Sequence, residues 1–192
     1  MSDETRRVCF YFYTNPPVWA NASLFMRILL YFQDRAYGSI VDCKIGFDED
    51  PEFDSRAELH PKIDENDRDE KMVAVYDCVL GCGVTKKLMT DHSLGLFSPC
   101  YVLDVEPEVA RDLRHFLDGE CGAPFNDFEM YAKMLPIVNR IGISGSGWRA
   151  STLVAAALES AGLIGETSLY DMTPMLLRDT LLAEHPAIQR VR

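Results

Sequence analysis

Basic side chains are scarce in this chain: 19 lysines and arginines stand against 30 aspartates and glutamates, a formal net charge of −11. A surface of that sign repels phosphate backbones and anionic headgroups, so nucleic acid is not expected as a partner. Long apolar runs are missing too. No segment reaches the roughly 20 apolar residues of a membrane span, so no transmembrane segment is expected. The N-terminal stretch carries Asp3, Glu4, Arg6 and Arg7 in place of a signal-peptide core. The six cysteines include no Cys-x-x-Cys pair, and Cys78 and Cys82 lack the second pair or nearby histidine that would complete a zinc site. Buried thiols in a reducing, intracellular setting are the expectation, with no metal and no cofactor. Repeats, low-complexity tracts and linkers are absent, so residues 1–192 read as a single domain.

What is present argues for a substantial core. Hydrophobic residues make up 47% of the chain, with ten Phe and eight Tyr, which excludes disorder. Acidic residues concentrate in residues 48–70, read as a solvated loop. Short aromatic and β-branched runs predict strands over residues 7–14, 39–47, 72–79 and 100–105, with a further strand beginning after the turn at Gly81. Apolar periodicity predicts helices over residues 21–32, 108–119 and 126–138, the last interrupted near Pro136. Thr173 and Pro174 cap and open a final short helix. The fold class is therefore α+β.

The centre of the pattern is residues 147–163, GWRASTLVAAALESAGL. Glycines and serines lead into it, and from Ala150 almost every residue favours helix until Gly162 supplies a stop. Leu153, Val154, Ala157, Leu158 and Ala161 recur at helical spacing. A buried helix over about 150–162 follows, with its first turn exposed at the mouth of the glycine-rich loop. Such a helix start favours a thiolate through its free N–H groups and its dipole. The position holds Ala150.

The run Trp148-Arg149-Ala150-Ser151-Thr152-Leu153-Val154, with Leu158, Gly162-Leu163 and Thr173-Pro174 beyond it, resembles the nucleophile region of the permuted NlpC/P60 branch of the papain-like superfamily. That branch includes bacterial proteins and proteins of large DNA viruses, poxviruses among them. Its motif reads aromatic-x-Cys-Ser-x-Leu-Val, which places Ala150 where the cysteine belongs. The stretch Tyr37-Gly38-Ser39-Ile40-Val41 resembles the strand that carries the family's general-base histidine, with Ser39 in its place. Asp77-Cys78, followed by Gly83-Val84, resembles the strand carrying the group that orients the histidine, and 122–128 (GAPFNDF) resembles a further family segment.

The resemblance implies a papain-like fold with a central antiparallel sheet packed against the buried helix. It also implies a remnant cleft lined by Tyr37, Ser39, Asp77, Trp148, Ala150 and Ser151. Acyl transfer by a thiol needs a nucleophile, a base and a group orienting the base. Ala150 has no nucleophile and the Ser39 hydroxyl is no base near neutral pH, so Ala150, Ser39 and Asp77 are vestigial positions and the chain is not an enzyme. Ser151 matches the family's own serine and would point away from the cleft. None of His60, His92, His115 and His185 falls at a motif position, and Cys43 reads as a core thiol despite sharing a strand face with Ser39.

The implied function is a pseudoenzyme acting as a structural or binding protein, with protein partners such as capsid or virion components, in the host cytoplasm or the virion. The alternative is a thiol peptidase, amidase or lipid acyl hydrolase present as an inactive variant. An engineered replacement at 150 would explain Ala150 but not Ser39. Cys and His at codons 150 and 39 of the encoding gene would restore the enzyme.

Overall fold

The computed structural model describes residues 5–14, 40–48, 72–79, 81–90, 94, 99–126 and 146–191. The helices expected over 21–32 and 126–138, the acidic loop over 48–70, and the cleft residues Tyr37 and Ser39 lie outside the described residues, apart from Asn126 and Asp48 at two ends.

Among the described residues the architecture is mixed α+β: a six-stranded antiparallel sheet and three helices. The strands are β1 (Arg6–Thr14), β2 (Ile40–Asp48), β3 (Met72–Val79), β4 (Gly83–Thr90), β5 (Cys100–Val105) and β6 (Gln189–Arg190). Their spatial order is β4-β3-β2-β1-β5-β6, so the first strand in the chain is an inner strand of the sheet. The expected strands are all found. The two-residue β6 is an addition: both its residues are exposed, so no alternation of apolar and polar residues announces it.

The helices are α1 (Pro107–Glu120), α2 (Ala150–Ser160) and α3 (Pro174–Glu184). Pro107 and Pro174 stand in first turns, where a missing N–H does no harm. Thr173 Oγ1 accepts from the Leu176 N–H at 3.1 Å, which caps α3. At the end of α2, Gly162 takes φ +68°, while Leu163 N–H donates to Leu158 O and Gly162 N–H to Glu159 O. That pair of bonds satisfies the last carbonyls and turns the chain out of the helix.

All three helices share one apolar cluster with one face of the sheet. Phe10 and Phe12 of β1, Cys43, Ile45 and Phe47 of β2, and Tyr76 and Cys78 of β3 meet Leu113 and Leu117 of α1, Leu153 and Leu158 of α2, and Leu177 and Leu181 of α3. Each large side chain sealed there contributes about 1.5–3 kcal/mol relative to exposure. The alternate residues Cys9, Tyr11, Val73, Val75 and Cys100 form a second buried cluster with Leu94 on the opposite face.

Helix α2 departs from expectation in one respect. Every residue from Ala150 to Leu158 is buried, Ser151 and Thr152 included, so it has no exposed first turn and its first exposed residue is Ser160. The alanines at 155–157, all buried, let neighbouring elements close in around it.

Candidate functional site at the start of helix α2

The approach to α2 is fixed by backbone. Trp148 N–H donates to Pro124 O at 2.9 Å and Asn126 N–H to Trp148 O at 2.9 Å, a short parallel bridge to the strap after α1. The same strap holds the start of β4, through Val84 N–H to Ala123 O and Gly122 N–H to Val84 O, both 2.9 Å. Gly147 makes this possible. Its φ is +111°, and a Cβ there would stand 2.4 Å from Pro124 O.

Side chains complete the mount. Trp148, half-buried, donates Nε1–H to Glu120 Oε2 at 2.6 Å and meets Phe116 edge-on at 6.2 Å. Its indole therefore anchors the end of α1. Cys78, buried on β3, directs its thiol at Trp148 O, 3.1 Å away. Thr152 Oγ1 accepts from Arg149 N–H and donates to Arg149 O, both at 3.0 Å. Arg149 is buried and its Nη2 donates to Leu169 O at 3.3 Å and Tyr170 O at 3.0 Å, carbonyls at the turn Leu169–Asp171.

Trp148, Ala150 and Ser151 are thus neighbours on one helix start. Ala150 offers a methyl group in the apolar cluster shared with Cys43, Cys78 and Leu153. Ser151 Oγ donates to Met172 O at 2.8 Å, fully inside the fold, so its hydroxyl is a structural tie. Cys43 is buried, and burial, followed by the Asp42 and Asp77 carboxylates, pushes its thiol well above the ordinary value. A thiol held protonated in that way is inert.

Asp77 is not part of this group. Tyr76 and Cys78 face the helices, and strand alternation turns Asp77 to the opposite face with Val73 and Val75. There its Oδ2 meets Lys44 Nζ at 2.5 Å, both side chains nearly buried. The expectation that Asp77 borders a cleft with Ala150 is corrected: the sheet lies between them. The residues overlooked in the sequence are Cys78 and Arg149 on the helix side, and Asp42 and Lys44 beside Asp77. Parity pairs Cys78 with Tyr76 without telling which face of β3 meets the helices, and nothing in the sequence marks Arg149.

Among the described residues no group of three His, Cys, Asp or Glu side chains is placed to hold a metal ion. No described helix is long and apolar enough to cross a membrane. Comparison with protein-family models, curated proteins and solved structures finds no match to this chain.

Proposed function

We propose that this chain is a catalytically inert relative of the permuted NlpC/P60 thiol hydrolases, acting as a structural or binding protein. The supporting observation is the start of α2. It is a well-mounted helix N-terminus, the kind of position whose free N–H groups and dipole favour a thiolate, and it carries only the methyl group of Ala150, packed in the apolar cluster. The nearest hydroxyl, Ser151, is engaged with Met172 O. Trp148 and Ser151 match the motif at this helix start and Ala150 replaces its cysteine; Asp77 is not counted among them. A papain-like architecture agrees with a buried helix against an antiparallel sheet, and a protein partner within a virion of a large DNA virus rests on the family resemblance alone.

The purified chain is expected to turn over no amide, ester or lipid acyl substrate, read by product release over hours. Sustained turnover by the unaltered chain overturns the proposal. The double variant Ala150→Cys with Ser39→His tests the papain-like register directly. It should react with a chloromethyl ketone faster than the Ala150→Cys variant alone, because the imidazole would then activate the new thiol. Equal rates would mean that positions 39 and 150 do not share a site.

A further inference from the structure

Helix α3 turns Pro174, Leu177 and Leu181 inward and packs on β2 and α2. A helix rotates by about 100° per residue, so Met175, Arg178, Asp179 and Leu182 share one stripe away from that buried side. Their spacing of i, i+3, i+4 and i+7 is that of a helix-packing seam. Met175 and Leu182 are exposed, and so is Leu176 beside them. These three, with Val191, are the large apolar side chains exposed among the described residues. Single exposed apolar residues are ordinary, but three on one helix of eleven residues mark a face for contact.

The charged middle of the stripe is paired within the chain. Arg178 donates through Nε at 2.8 Å and Nη2 at 2.5 Å, and both bonds fall on Oδ1 of Asp179. Among the described residues, Oδ2 of Asp179 and Nη1 of Arg178 take no partner. The carboxylate is half exposed, so the pair adds little to the fold by itself.

We propose that this stripe is a two-fold contact between copies of the chain, with α3 packed antiparallel on the partner's α3. The residue order is its own complement. Setting Met175 opposite the partner's Leu182 also sets Arg178 opposite the partner's Asp179, and the two-fold axis repeats both pairings. A parallel arrangement would put arginine against arginine and aspartate against aspartate. The charges therefore fix direction and register, while the apolar ends supply the buried surface. The stripe carries one charge of each sign on a chain of net charge −11, so two copies meet there with little repulsion. A basic partner would find more acid elsewhere on the chain, and an acidic one no excess of cations here; a neutral, self-matching stripe fits a second copy. The contact stands or falls independently of the chemistry at the start of α2. One helix stripe is a small interface, so the dimer is weak.

Sedimentation equilibrium on the whole chain, from about 1 µM to about 1 mM, should show monomer passing to dimer. A chain that stays monomeric throughout overturns the contact and leaves the stripe to a different partner. Leu182→Glu, at an exposed position, should weaken dimerisation about tenfold or more. Charge exchange gives a stricter arm. Arg178→Asp alone and Asp179→Arg alone each oppose like charges in this register, and each should weaken self-association to a similar degree. Mixed one to one, the two variants should associate with each other, because every carboxylate then faces an arginine. Both variants keep a strongly negative net charge, so attraction between whole chains does not produce that result. A dimer insensitive to these substitutions, or a mixture that does not associate, overturns the proposal.

Discussion

The Ser151 hydroxyl ties the second residue of α2 to the carbonyl of Met172, 21 positions further along the chain. Replacing it with alanine leaves a buried carbonyl without its donor. Ser151→Ala is expected to lower stability by about 1–2 kcal/mol, read as a lower urea midpoint at unchanged slope. A nucleophilic serine makes no such demand, so an unchanged midpoint would reopen a chemical role. At this scale Trp148, Ala150 and Ser151 were legible because glycines on one side and a helix-favouring run on the other fix their register. Asp77 was not, and the reason is physical. Both faces of β3 are buried, with Val73 and Val75 on one and Tyr76 and Cys78 on the other, so no alternation of polar and apolar residues betrays which way each side chain turns. A motif read in sequence order carries Asp77 to the site; the pleat carries it away.

Elements were read well wherever a stop or a cap is written in the side chains. Pro107, Thr173-Pro174 and Gly162 mark α1, α3 and the end of α2, and each acts through the backbone geometry its residue type imposes. The burial of the α2 first turn was not legible, because it depends on the strap from Gly122 to Asn126 and the turn Leu169–Asp171 reaching it from distant parts of the chain. Gly147 is the joint on which that closure depends. Gly147→Ala would put a Cβ 2.4 Å from Pro124 O at a φ of +111°, and neither the strap nor Trp148 can yield without breaking their mutual hydrogen bonds. The expected loss is about 2–3 kcal/mol in chemical denaturation. Gly165→Ala is the control, since its added methyl meets nothing within 4 Å, and it should leave the midpoint nearly unchanged. Equal behaviour of the two variants would show that the joint is not rigid.

Across the whole molecule, the sheet order sets what local sequence cannot express. β1 pairs with β2 and with β5, whose first residue, Cys100, lies 86 positions beyond the last residue of β1, Thr14. Strand identity follows from composition, but this pairing follows from which apolar faces the helices leave available, a property of the assembled core. Net charge is the other whole-molecule property, and it was open to direct reading. With a formal charge of −11 on 192 residues, folding concentrates like charges that the unfolded chain keeps apart. Raising the salt shortens the screening length from about 30 Å at 0.01 M to about 8 Å at 0.15 M, which relieves that repulsion. The melting temperature at pH 7.5 should therefore rise by about 2–4 °C over this interval, corresponding to about 1 kcal/mol for a chain of this size. Burial, then the Asp77 carboxylate, pushes the Asp42 carboxyl up to about 7, so the folded chain holds that proton more tightly. Lowering the pH to about 6 at low salt should therefore act in the same direction, and the Asp42→Asn variant separates the two contributions, since it retains the response to salt and loses that share of the response to acid. A melting temperature that falls with added salt would mean that attractive ion pairs such as Lys44–Asp77 and Lys86–Asp118 outweigh the excess of negative charge.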